Sequence, residues 1–266
     1  YASQGEGATV LTACTPMDIG DYPGGQIGDS AVLTNADSVR LYKNGNYVTT
    51  LRTGDYPGLP HPPMILDDII GELLETQEGF DEKKADLLRA CLLAARKHGL
   101  AHLPPADLAW MGVAMTKYGL TFADAQKLYG KYVGNWGGES TVWRLDALKG
   151  GKVASSVTLC PSAKLHLEIT PSHTELTERD TYDMAAVRVR ILDEYGNPAP
   201  YAQLPVTFRL EGAAELVGPE TAAAEGGMTG TYVRTTGQTG TAVLTVSTSQ
   251  TEAVRIAFTV GRKPER

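Results

Sequence analysis

Between residues 180 and 246 apolar side chains recur at every second position, as Val187/Val189/Ile191, Val206/Phe208/Leu210 and Leu244/Val246, and the loops between these runs are rich in Gly, Asn and Pro. A period of two is that of a strand with one face buried, and turn residues at short intervals make the strands many and short. This pattern restricts the C-terminal third to a β-sandwich. A chain of 266 residues is long enough for a second core, since single cores seldom grow far beyond a couple of hundred residues.

The N-terminal part supplies that second core in two pieces. From Ala8 to Leu51 the pattern is again β, with Val39 and Leu41 alternating with Arg40 and Tyr42. Asn44-Gly45 stands between two such runs and offers the two positive φ angles of a type I′ turn, so a hairpin is expected there. The prolines between Asp55 and Pro63 then stop strand pairing, because proline has no N–H to give.

Residues 63–133 change to a helical period. Ile65, Ile69 and Leu73 share a face next to Leu66, Ile70 and Leu74, with Asp67 and Asp68 as first-turn acids, which predicts a first helix. A second helix is predicted from the N-cap Asp81 to His98, and a third from after Pro104-Pro105 to Tyr118. Gly99 and Gly119 are each followed by leucine, and both are expected to end their helices in left-handed C′ geometry. Thr121 and Asp124 resemble a capping box opening a fourth helix toward Val133. After Gly134-Asn-Trp-Gly-Gly138, β patterning resumes over Val142–Leu148, 152–159 and 165–169.

Neither flanking β segment has enough strands for a stable sandwich, whereas together they have about seven. The expected fold is therefore mainly β with an α-helical insert: two sandwiches, the first interrupted by about four short helices. The first domain is expected over residues 1–169, with the insert at about 61–134, and the second over 170–266.

The formal charge of −7 disfavours a phosphate backbone, so nucleic acid is not an expected partner. No apolar run approaches the roughly 20 residues of a membrane span. Cys14, Cys91 and Cys160 are odd in number and widely spaced, which suits isolated apolar fillers better than a disulfide framework or a metal knuckle. The chain opens on Tyr1-Ala-Ser-Gln with no charged and then apolar leader behind it, and is read as a mature segment or an excised fragment.

A search for reactive groups returns little. There is no G-x-S-x-G and no phosphate-cradling glycine loop. His98 and His102 are four apart, but Gly99 and Leu100 fall where the helix ends, so a shared metal-binding face is lost. His61, His166 and His173 are isolated. Asp193-Glu-Tyr-Gly-Asn197 has oxygen donors, yet its place between two strands favours a turn over a calcium loop. No catalytic residue, metal ligand or cofactor site is assigned. Trp136, with Tyr132 and Trp143 close in sequence, is the candidate for stacking on a sugar or meeting an interface, against the plainer reading of a plug between insert and sandwich.

These residues, taken together, resemble a known family. Tyr1-Ala-Ser-Gln followed by Asn35-Ala-Asp-Ser-Val-Arg-Leu-Tyr-Lys-Asn-Gly45 is similar to the stretch that leaves the catalytic barrel of glycoside hydrolase family 2, the β-galactosidase family, and enters its first C-terminal immunoglobulin-like domain. Asp180-Thr-Tyr-Asp-Met184, Val187 to Asn197, Leu216-Val-Gly-Pro219 and Gly230-Thr-Tyr-Val-Arg-Thr235 resemble the next such domain, and Lys131 to Gly138 resembles a loop of related enzymes.

The resemblance implies a retaining glycosidase that uses two glutamates at the mouth of a barrel. This chain has no barrel pattern and no Asn-Glu dipeptide, so no catalytic residue is carried over. It implies a non-catalytic C-terminal portion, inactive alone. Its partner is the catalytic barrel of the same parent chain, and a loop is left to meet the substrate entrance or an oligomer contact. A carbohydrate-binding module and a segment of a bacterial surface adhesin are the alternatives. Exposure of Trp136 would favour the first, and further sandwiches upstream of Tyr1 the second.

Overall fold

The computed structural model describes residues 1–18, 27–54, 56–134, 141–161 and 164–263. The chain forms two compact units, Tyr1–Pro161 and Ser162–Arg266.

In the first unit, β1 (Leu11–Ala13), β2 (Ser30–Thr34), β3 (Ser38–Lys43), β4 (Asn46–Leu51) and β5 (Met64–Leu66) precede the helices. Helices α1 (Leu73–Glu78), α2 (Glu82–His98), α3 (Pro105–Tyr118) and α4 (Phe122–Tyr129) follow, and β6 (Trp143–Lys149) and β7 (Lys152–Leu159) close the unit. Two antiparallel sheets result, ordered β1-β2-β5 and β4-β3-β6-β7. Strand β3 pairs with β4 on one side and with β6, from beyond the helices, on the other. The sheet is thus assembled from both flanks of the insert, as the strand count required. The β3–β4 turn has Asn44 at φ 47° and Gly45 at φ 80°, the positive pair of a type I′ hairpin.

The helices have no core of their own. Val39, Leu41, Val48, Leu145 and Trp143 from the strands, and Leu73, Leu74, Leu88, Leu92 and Ala95 from α1 and α2, belong to one buried cluster. Short helices enclose too little volume alone and gain stability only where an apolar stripe meets another layer.

The expected first helix is corrected. Met64–Leu66 is a strand paired with β2, and α1 begins only at Leu73. Asp68 Oδ1 accepts the N–H groups of Ile70 (2.8 Å) and Gly71 (2.8 Å), forming a side-chain-capped turn that competes with the helix. Gly71 holds this turn at φ 49°, and a Cβ there would lie 1.8 Å from the Val48 carbonyl oxygen. Asp67 and Asp68 are accordingly not first-turn helix acids.

Helices α2 and α3 match their expected extents, and α4 opens where expected but ends at Tyr129, with a π-type turn over Gly130–Gly134 in place of its last expected residues. Asp81 accepts the Lys84 N–H at the start of α2, and Thr121 with Asp124 completes the capping box of α4. The two glycine ends differ, however. Gly119 is left-handed and Leu120 N–H returns to the Met115 carbonyl, whereas Gly99 has ψ 151°, so the chain leaves α2 instead of folding back on it. Of the cysteines, only Cys91 is buried, and Cys14 is exposed, so the filler reading fails for Cys14.

The second unit contains β8 (His166–Pro171), β9 (Glu175–Glu178), β10 (Met184–Leu192), β11 (Pro205–Gly212), β12 (Ala214–Val217), β13 (Thr221–Ala223), β14 (Met228–Thr235), β15 (Gly240–Ser247) and β16 (Val254–Arg262). They form sheets ordered β12-β14-β10-β8 and β13-β11-β15-β16-β9, with only the β16–β9 pair parallel. Val187, Val189 and Ile191 of one sheet share a buried core with Phe208, Leu244, Val246 and Phe258 of the other.

The expected boundary at 169/170 falls inside β8. That strand pairs with β10, with Ile169 opposite Val189, which draws residues 166–169 into the second unit. Asp193 Oδ1 accepts from the N–H groups of Tyr195 (2.9 Å) and Asn197 (2.8 Å), so Asp193–Asn197 is a turn whose acid is occupied by the backbone.

Candidate functional site

Tyr132 and Trp143 lie where the first unit's hairpin meets the two flanks of residues 135–140. Parity along β3 puts Val39, Leu41 and Lys43 on the buried face, so a lysine stands where a third apolar residue would be expected. Its Nζ donates to the Lys131 carbonyl at 2.9 Å. The next residue, Asn44, exchanges two bonds with Val142: its own N–H donates to the Val142 carbonyl (2.8 Å), and its Oδ1 accepts the Val142 N–H (2.8 Å). One hairpin tip thereby grips the chain before and after residues 135–140.

Around this grip the charged groups are paired, while the buried indole N–H of Trp143 has no hydrogen-bond partner among the described residues. Lys43 Nζ sits 5.8 Å from the ring centre of Tyr132 and 5.3 Å from that of Trp143, in cation–π range of both. The Tyr132 hydroxyl donates to Glu78 Oε1 at 2.7 Å, and Lys131 Nζ reaches the same oxygen at 2.5 Å. Glu78 is the last residue of α1, and Lys131 and Tyr132 lie on the π-type turn Gly130–Gly134 after α4, so the pair ties two helices of the insert together.

The electrostatics follow from burial. Desolvation, with the nearby Lys131 charge as a smaller cause, lowers the Lys43 ammonium to about 8. Burial and the hydrogen bond to Glu78 push the Tyr132 hydroxyl up. Burial alone would raise Glu78, but the hydrogen bonds from Lys131 and Tyr132 outweigh it and hold the carboxyl below its ordinary range.

Tyr132 is 1% exposed and Trp143 0%, so neither ring offers a face to a sugar. Their part is internal: they enclose the Lys43 cation. Trp136 lies outside the described residues. Lys43, Glu78 and Lys131 were not among the residues picked out from sequence. Lys43 alone carried a local signal, its parity with Val39 and Leu41.

The cluster's one carboxylate is already committed to Lys131 and Tyr132, whereas glycoside hydrolysis of the implied kind takes two carboxyl groups on either side of the bond. Lys43 is 8% exposed and donates to a carbonyl, which suits a clamp. His98 ends α2 while His102 lies on the separate turn Leu100–His102. Among the described residues no group of three or more His, Cys, Asp and Glu side chains is arranged to hold a metal, and no helix is long and apolar enough to cross a membrane.

A second anchor holds α2. Arg96, buried on its inner face, donates through Nε to the Ile27 carbonyl (2.6 Å) and through Nη2 to the Gly28 carbonyl (2.7 Å). Nη1 donates to the Asp67 carbonyl and lies 3.1 Å from Asp29 Oδ1.

Comparison with known proteins accords with this geometry. Residues 167–257 match the family description "Glycoside hydrolase family 2 C-terminal domain 5". A β-galactosidase of Thermoanaerobacter pseudethanolicus is 34% identical over 94 residues, which are 35% of this chain and 13% of that protein. A β-galactosidase of Rhizobium radiobacter is 34% identical over 96 residues, 35% of this chain and 67% of its own length. In fold, the crystal structure of a β-glycosidase from Bacteroides vulgatus superposes with a TM-score of 0.55 at 13% identity, covering 96% of this chain and 25% of that one. The chain thus spans a minor part of two of these three relatives. It belongs to glycoside hydrolase family 2, of whose C-terminal region it forms part.

Proposed function

We propose that this chain is the non-catalytic C-terminal portion of a β-galactosidase-like family 2 enzyme, packing on the catalytic barrel of its parent polypeptide and supporting it. The observation that carries the reading is the asymmetry of coverage: nearly all of this chain superposes on a quarter of a β-glycosidase. The two curated relatives named as β-galactosidases favour that substrate class. The polar cluster fits as well, since Lys43, Glu78, Lys131 and Tyr132 are spent on holding the insert, with none left as an acid and a nucleophile placed across a glycosidic bond.

The test has two arms. The purified 266-residue chain is expected to release no nitrophenol from nitrophenyl β-galactoside, and turnover that survives removal of contaminants would overturn the non-catalytic role. Deleting the chain from the parent enzyme is expected to lower its activity and heat resistance, and an unaffected enzyme would overturn the supporting role.

A further inference from the structure

Helices α2 and α3 stand side by side in the insert and face solvent differently. The exposed residues of α2 include Glu82, Lys83, Asp86 and Lys97, the charged outer face expected of a surface helix. In α3 only Ala114 is buried, while Ala106, Ala109, Trp110, Gly112, Val113, Thr116 and Lys117 are exposed. Lys117 is the single charge among them. Trp110 is 58% exposed, Leu108 and Val113 are also exposed, and Phe122, the first residue of α4, is 77% exposed. A helix that is apolar on nearly every side belongs inside a larger structure.

We propose that the outer face of α3 is a docking surface for an apolar surface of the parent polypeptide's remaining part. This rests on the reading that the chain belongs to a larger family 2 enzyme. One observation selects that occupant over a second copy of the chain, and another describes how closely the face can be approached. First, the Bacteroides vulgatus β-glycosidase superposes on almost all of this chain with only 25% of its own length, so far more polypeptide lies outside the matched part than within it. A tethered surface docks at millimolar effective concentration, whereas a second copy bears the full entropy of association. Second, Ala106, Ala109, Gly112 and Thr116 are small and fall on one side of the helix at spacings of three and four, so a backbone can approach closely there. Val113 stands among them and Trp110 beside them, as anchors that gain from burial.

The substitutions that test this are Ala109→Glu and Val113→Glu, in the 266-residue chain and in the full-length parent enzyme. In the chain alone both sites are exposed, and the melting temperature is expected to stay within about 2 °C of wild type. In the full-length enzyme a carboxylate pressed into an apolar contact is expected to speed heat inactivation by about tenfold or more. As an independent readout, acrylamide quenching assigned to Trp110 by difference from Trp110→Phe should be efficient in the chain and suppressed in the full-length enzyme.

Equal quenching of Trp110 in both, with wild-type heat resistance of the two variants, would overturn the assignment. So would a concentration-dependent dimer of the chain, seen by sedimentation and abolished by Ala109→Glu, because the face would then take a second copy. If deletion of the whole chain left the enzyme unchanged, the supporting role would fall instead. If deletion harmed the enzyme while Trp110 stayed quenchable, only the docking face would be wrong.

Discussion

The second unit and the helical insert meet the same demand, that apolar side chains leave water, by different means. In the second unit two sheets close on each other. Val187, Val189, Phe208, Leu244 and Phe258 fill the space between them, and buried polar groups such as Asp193 are satisfied within their own turns. The helices of the insert add their inner faces to a core that the first unit's strands already line. Hydrophobic attraction is non-directional and does not by itself say where a helix should lie on such a surface. Position is set by long polar side chains that reach across the chain: Arg96 to the carbonyls of residues 27, 28 and 67, Lys43 to the carbonyl of Lys131, and Lys131 and Tyr132 to the Glu78 carboxylate. Shape complementarity defines the sandwich, and a few buried polar contacts define the insert.

The contrast predicts opposite weak points. Phe208→Ala should cost about 4 kcal/mol through lost burial and the cavity left between the sheets. Hydrogen exchange should then accelerate throughout β10, β11, β14 and β15, since those strands share one core. Arg96→Met should cost about 3 kcal/mol, because it leaves three carbonyls without their donor. Its exchange signature should concentrate in α2 and around residues 27–29. Arg96→Lys should not restore the loss, as one ammonium cannot fork toward carbonyls on two segments. Should Arg96→Met prove neutral while Phe208→Ala is severe, the insert would be held by packing alone and the comparison would fail.

How much of this was legible beforehand depended on how far each cause reaches along the chain. The hairpin at Asn44-Gly45, the cap at Asp81, the capping box of Thr121 and Asp124 and the strands around Val187 are local, and each formed where the pattern placed it. The first expected helix misled because Ile65, Ile69 and Leu73 keep a helical spacing across a break that Asp68 and Gly71 impose. The break depends on glycine at position 71, where any Cβ would lie 1.8 Å from the carbonyl oxygen of Val48, a residue of β4. The boundary at 169/170 failed likewise, for the strand's partner lies further along the chain. Around the candidate site, Tyr132 and Trp143 stand near Trp136 in sequence as candidates for stacking on a sugar or meeting an interface, and both are buried. Arg96 and Glu78 act on residues tens of positions away and left no local mark.

A smaller effect separates the two regions by pH. Lys43 binds its proton less tightly in the folded chain, where its value falls to about 8, than in the unfolded chain near 10.5. Below about pH 8 both states hold the proton, and folding carries the full cost of burying the cation. Between those values the unfolded state binds more protons, so stability rises with pH. From about pH 8 to about pH 10 the gain should be near 2 kcal/mol. Other lysines and tyrosines titrate here too, so the measurement is the difference in urea midpoint between wild type and Lys43→Met across that range. That difference should shift with pH by the Lys43 share alone, because the variant keeps the slope of the other groups. A difference that stayed flat with pH would mean that the ammonium near Tyr132 and Trp143 is as well solvated as in water.

The smallest effect tests whether the insert's local signals matter once its anchors are in place. Asp81 accepts the Lys84 N–H at 3.1 Å and is exposed, so its role is confined to the first turn of α2. Asp81→Ala removes the acceptor and should cost about 1 kcal/mol, read as a shift in the urea midpoint. Asp81→Asn keeps the acceptor and loses only the charge near the helix start, and should cost a few tenths of that. Exchange should quicken at the first turn of α2 and leave its last turns protected, because Arg96 still fastens the far end to residues 27 and 28. Fraying that ran the length of α2 in Asp81→Ala would show that the cap, and not the buried arginine, sets the position of this helix.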